Sequence, residues 1–174
     1  MALVPVVTVS HELAHYAVGR AFDFPGLDFR LTSVADAAGA NGFPEWQRGV
    51  KSAAGPLVNW LFVGASCLVV WRRPAAVWAP VVGLTAAIAP ALDSGVLLLA
   101  AAFGKSTAGV DVDEANASRY FHLPLTPTAA VLFALIVAAA FWLVTRLPKD
   151  TRASTVSAVV VGAVAGFFLF SRLA

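Results

Sequence analysis

Charge is scarce in this sequence. Of its 174 residues, 13% are charged and 59% are hydrophobic, with a mean hydropathy of +0.79. A soluble domain of this length carries about a quarter charged residues, and half that share cannot cover a globule exposed to water. Disorder is excluded by the same figures, because it needs low hydrophobicity and high charge. The single cysteine, Cys67, rules out an intrachain disulfide framework and any multi-cysteine metal site. It lies in an apolar stretch and reads as a small buried side chain. No Lys/Arg run and no basic patch interleaved with aromatics is present, so nucleic acid is not an expected partner.

Long apolar stretches are what remains. Five stand out, at roughly Met1–Phe22, Ala53–Trp71, Ala75–Phe103, Thr128–Val144 and Ala153–Phe170. A spanning helix needs about 20 residues at 1.5 Å per residue. The chain is therefore expected to be an all-α, multi-pass integral membrane protein with about five transmembrane helices. The third stretch is long enough to span with an irregular break at Pro80 or Pro90. The first is not read as a cleaved signal peptide: it has no basic leader, and His11, Glu12 and His15 interrupt it. Between the first two stretches, Asp23–Ser52 is rich in Gly, Pro and Asp, and its Leu27–Val34 piece suits a small β-hairpin at the membrane edge. No repeat or second domain is visible. Trp46, Trp60, Trp71, Trp78 and Trp142 mostly sit near span ends, as an aromatic belt would. Gly162 and Gly166 make a small-xxx-small pattern expected to pack helices within the chain.

The chemistry concentrates in the first stretch, His11-Glu12-Leu13-Ala14-His15. On a helix, positions i and i+4 are about 40° apart, so both imidazoles leave one face, one turn apart. Two ring nitrogens at that spacing can reach one zinc ion at about 2 Å each. Glu12 projects from the adjoining face, where it can act on a water at the metal as general base. Of the chain's three histidines, two fall here, inside an apolar helix where ionisable groups are costly. A structural zinc would need four protein ligands; a catalytic one keeps a position open. Asp93, in Pro90-Ala91-Leu92-Asp93-Ser94-Gly95, is the best third ligand, since a buried carboxylate without a cation beside it costs several kcal/mol unless paired or metal-bound. Glu45, His122 and the loop aspartates are other candidates, each in a polar segment where solvation accounts for it. His122 reads instead as an interfacial residue beside aromatic anchors.

Depth agrees with this grouping. If the spans alternate, His15 lies roughly 12 Å from one membrane face, Asp93 roughly 17 Å, and Asn59 in the antiparallel second span about 9 Å.

The three motifs taken together, His11-Glu12-Leu13-Ala14-His15, Ala54-Gly55-Pro56-Leu57-Val58-Asn59 and Leu92-Asp93-Ser94-Gly95, resemble the site-two protease family of membrane-embedded zinc metalloproteases. The resemblance covers roughly residues 1–103 and implies a three-helix catalytic core. Residues 104–174 would then add a polar loop and two further spans to the same membrane domain. It implies one zinc ion per chain held by His11, His15 and Asp93, with Glu12 as catalytic base. Asn59 would steady the substrate or the oxyanion, and the hairpin would present an extended substrate strand. The expected substrate is a transmembrane or membrane-adjacent segment, and the expected partners are that protein and the bilayer.

Two other functions fit the same residues: a membrane metal transporter or sensor, and a proteolytically inactive relative that binds membrane partners. A transporter predicts a further chain of polar residues across the membrane, and the last two stretches contain almost none. Topology is divided. The face with Asp23–Ser52 and Gly104–Pro127 bears seven Lys/Arg; the other bears five (Arg72, Arg73, Arg146, Lys149, Arg152) in two short loops. The family resemblance places the active site toward the cytoplasmic side of the cell membrane. The sequence assigns no role to Gly104–Pro127.

Overall fold

The structure, a computed structural model, describes residues 3–30, 33–35, 42–107 and 110–170, excluding the side chains of 166–170. Among the described residues, six helices and one hairpin are formed: α1 (Leu3–Ala21), β1 (Asp28–Arg30), β2 (Ser33–Ala35), α2 (Glu45–Arg72), α3 (Trp78–Ala102), α4 (Asp113–Tyr120), α5 (Leu125–Arg146) and α6 (Arg152–Phe170). The mostly helical class is as expected. Three of the helices, α2, α3 and α5, are long and apolar enough to cross a membrane. The other two expected spans, α1 and α6, are helical but not among these three. His11, Glu12 and His15 dilute the hydropathy of α1, and the described apolar part of α6, Arg152–Ala165, is short.

The irregular break expected in the third stretch does not occur. Pro80 falls in the first turn of α3, where its missing N–H costs nothing, and α3 runs on through Pro90 as one helix. The second helix begins earlier than its apolar stretch, at Glu45, so its first two turns are polar. The hairpin is present, with Asp28 opposite Ala35, Phe29 opposite Val34 and Arg30 opposite Ser33.

Three helices stop in the same way. Asp23, Gly104 and His122 each adopt a left-handed φ of 54–62° just past α1, α3 and α4. The next residue then donates back into the helix: Phe24 to Gly19 (2.9 Å), Lys105 to Ala100 (2.8 Å) and Leu123 to Ser118 (2.8 Å). This is a Schellman ending, which satisfies the last carbonyls and turns the chain sharply. After α1 it delivers Phe24 into a buried stack with Phe43, ring centroids 4.4 Å apart.

The second helix is central: α1, α3 and α4 all pack on it, and α3 in turn packs on α5. Close approach depends on Gly83. A Cβ there would sit 2.7 Å from the Ser66 Cβ of α2 and 2.6 Å from the Leu143 Cδ1 of α5, so three helices meet at a point only glycine fits. One apolar cluster (Val70, Ala79, Leu84, Leu143, Leu147, Val159) ties the end of α2 to α3, α5 and α6. A second (Val7, Val63, Ala86, Ala87, Ile136) ties α1 into the middle, and a third (Leu97, Ala115, Ala129) seats α4 against α3 and α5. Gly162 departs from expectation: a side chain there would meet nothing within 4 Å, so it does not pack helices within the described chain.

Candidate metal centre

His11 and His15 leave α1 on one face, their rings edge to face with centroids 4.8 Å apart. Their Nε2 atoms lie 3.1 Å from each other. The Oδ2 atom of Asp113, the first residue of α4, lies 3.0 Å from each of the two. Three potential ligand atoms thus form a nearly equilateral triangle. Ligands bound at about 2.0–2.1 Å in tetrahedral geometry stand roughly 3.3 Å apart, so small adjustments would let the triangle hold one zinc ion.

The far sides of both rings are fixed. Nδ1 of His15 is 2.7 Å from the backbone carbonyl of Lys51. A carbonyl only accepts, so this Nδ1 carries a proton, and in the neutral ring Nε2 is the nitrogen that offers a lone pair inward. Nδ1 of His11 faces the side-chain amide of Asn59 at 3.1 Å. Asn59 is 1% exposed, and its Oδ1 has no partner. With the amide nitrogen toward the ring, His11 keeps its proton on Nε2, where Asp113 and His15 can share it. With the amide turned by 180°, Oδ1 would accept from Nδ1–H and leave His11 Nε2 bare. An amide can serve either tautomer; a carboxylate or an apolar side chain could not.

Space for the pair comes from Gly55. A Cβ at this position in α2 would fall on Nε2 of both His11 and His15. Pro56 follows, buried within the same helix. The Ala-Gly-Pro…Asn segment of α2 therefore serves the site twice, by making room and by holding one ring from behind.

Electrostatics favours a cation here. Burial would raise the Asp113 carboxyl, but the hydrogen bonds and charges of His11 and His15 outweigh it and hold it well below the usual carboxylate range. Asp113 therefore remains an anion beside the two imidazoles. Glu12, half-buried, lies close enough to feel the charges of His11, His15 and Asp113, yet is not one of the converging ligands.

The structure brings together His11, His15, Glu12 and Asn59, as the motifs require. The third side chain that converges with the histidines is Asp113, not the expected Asp93. Asp93 is not among the converging side chains but interacts electrostatically with Glu114, Asp113 and His11. Glu114 is 5% exposed, and neither of its carboxylate oxygens finds a well-aligned hydrogen bond. Burial first, then the adjacent Asp93 carboxyl, push Glu114 up to about 9, so it is neutral at physiological pH. The polar segment left without a role thus supplies a side chain to the centre. An aspartate in a polar loop reads as solvated, so residue type alone does not single out Asp113 among the loop aspartates. The available clue was the spacing of Ala115 and Ser118, small residues three apart that mark a face able to pack closely; both are buried. Arg119 locks the approach to α4, donating to the carbonyls of Thr107 and Val110 and to Asn116 Oδ1 at 2.7–2.8 Å.

The hairpin lies beside this centre, with Phe29 edge-on to Tyr16 of α1 at 5.6 Å. His122 stands away from it, 3.1 Å from Glu45 at the start of α2. No protein-family model, curated protein or solved structure matches this chain.

Proposed function

We propose that this protein is a zinc-dependent membrane metalloprotease that hydrolyses peptide bonds in or near transmembrane segments. The observation that carries the reading is the convergence of two histidine Nε2 atoms and one carboxylate oxygen within 3.1 Å of one another, beside a carboxylate that is not a member of the trio. His11, His15 and Asp113 would hold the metal. Bound there, a zinc ion supplies Lewis acidity that lowers the pKa of water and polarises a scissile carbonyl. Glu12 takes the proton from the attacking water and delivers it to the leaving amine. Lys51's carbonyl and the Asn59 amide keep the two imidazoles aimed. A substrate segment must be extended to be cut, since a helix shields its own peptide bonds; the short hairpin beside α1 offers strand edges for such a segment. The resemblance to site-two proteases supports the same reading and a cytoplasmic-side active site in the cell membrane, with one zinc per chain.

The test is direct. The full chain is purified in detergent, its zinc is counted, and cleavage of a model transmembrane peptide is followed for the native protein and Glu12→Gln. The expected result is about one zinc per chain in both, with cleavage only in the native protein. Equal cleavage by the two would overturn the assignment of Glu12. Zinc bound by a native protein that cuts nothing, yet admits zinc into vesicles, would favour a transporter.

A further inference from the structure

The opposite end of the helical assembly carries a different chemistry. There α2 ends at Arg72 and α3 starts at Trp78, while α5 ends at Arg146 and α6 starts at Arg152. The contacts among Val70, Ala79, Leu143 and Leu147 bring these two connections to the same end. Five Lys/Arg gather on it (Arg72, Arg73, Arg146, Lys149, Arg152), with Asp150 as its one acid. By helix rise, Arg72 is roughly 20 Å from Asn59, which with the expected depth of Asn59, about 9 Å from the other face, approaches the roughly 30 Å hydrocarbon thickness of a bilayer.

Not all of these cations are available. Arg152 donates to the carbonyls of Thr145 and Leu147 and so closes the end of α5. Arg146 lies over the Trp142 ring at 4.8 Å. The side chains of Arg72 and Arg73 are exposed and make no hydrogen bond or ion pair with any described residue. Both line an open cleft of about 300 Å³, whose walls are Leu68, Val69, Ala76 and Trp78. Leu68 and Trp78 are exposed on its rim, and Trp71 stands beside it with 71% of its surface free.

We infer that this cleft binds an anionic phospholipid, its phosphate between Arg72 and Arg73 and its upper acyl chain along Leu68 and Trp78. The composition of the cleft is the argument. A guanidinium pair matches a phosphate through several N–H donors, and arginine is less strongly hydrated than lysine. Apolar walls next to those cations suit a ligand with a charged head and hydrocarbon immediately behind it, which a free anion lacks. The walls belong to two helices long and apolar enough to cross a membrane, and exposed tryptophans at such ends settle at headgroup level. Basic residues at a membrane surface draw acidic lipids by charge. The proposal is independent of zinc and of proteolysis.

The experiment uses the full chain in detergent, titrated with phosphatidylglycerol or phosphatidylcholine, with bound lipid counted by native mass spectrometry. Two arginines at a membrane surface compound to a preference of about thirtyfold for the anionic lipid. That preference is expected to fall to near unity in R72Q/R73Q, to be reduced but retained in R72K/R73K, and to be unchanged in Arg30→Gln at the other end. It should also shrink for the native protein at high salt. Equal binding of the two lipids by the native protein, or a preference unaffected by R72Q/R73Q, would overturn the inference. Displacement of the lipid by inorganic phosphate at the same concentration would do so as well, by showing a site for a soluble anion.

Discussion

The two ends of the helical assembly are held together by different means. Around His11 and His15, contacts between elements are polar and directional: Asp113 reaches the rings from 98 and 102 residues away, and Asn59 reaches His11 from 48. At the Arg72 end, Val70, Ala79, Leu84, Leu143 and Leu147 interlock without a hydrogen bond among their side chains. Close packing fixes helices to within the tolerance of a methyl group and is indifferent to which atom faces where. Hydrogen bonds fix particular atoms. The comparison teaches that the apolar end sets the frame while the polar end sets ligand positions, and the two should fail separately.

The largest expected effect on metal binding is at Gly55. Gly55→Ala puts a methyl on both ligand nitrogens, so zinc should fall from about one per chain to near zero while helical circular dichroism is retained. Normal zinc in this variant would break the proposed geometry. Next comes the choice of carboxylate. Asp113→Ala should weaken zinc binding more than about a hundredfold, beyond what loss of an outer partner costs, whereas Asp93→Ala should weaken it less. The reverse order, measured by competition with a chelating dye, would return the third ligand to Asp93. A smaller loss, about tenfold to a hundredfold in affinity, is expected for Asn59→Ala, which releases one ring from behind. Smallest of all for the metal is Leu143→Ala at the opposite end. Leu143 is fully buried, so unfolding in denaturant should show a cost of roughly 2–5 kcal/mol with zinc affinity unchanged. A parallel loss of zinc would show that frame and site are not separable.

Much of the polar end could be read from the sequence because helix periodicity is local. His11 and His15 are four apart, so their shared face needs no tertiary knowledge. The hairpin was legible for the same reason. Asn59 was placed beside the histidines by depth alone, and the hydrogen bond to His11 agrees. Asp113 was not legible, because its role depends on where α4 docks, which nothing local records. Five crossings are expected from apolar runs, and three of the helices are long and apolar enough to cross; the histidines and glutamate inside α1 lower its hydropathy. Pro90 invited the expectation of a break, but in a packed helix neighbouring elements can carry a proline through.

The span of sequence between His11 and Asp113 also has a meaning in time. A ribosome adds about 5–20 residues per second, so the paired histidines are made on the order of 5–20 s before the carboxylate that joins them. During that interval the emerging chain has two imidazoles and no Asp113. The trio of His11, His15 and Asp113 is therefore complete only after α2 and α3 have already been synthesised.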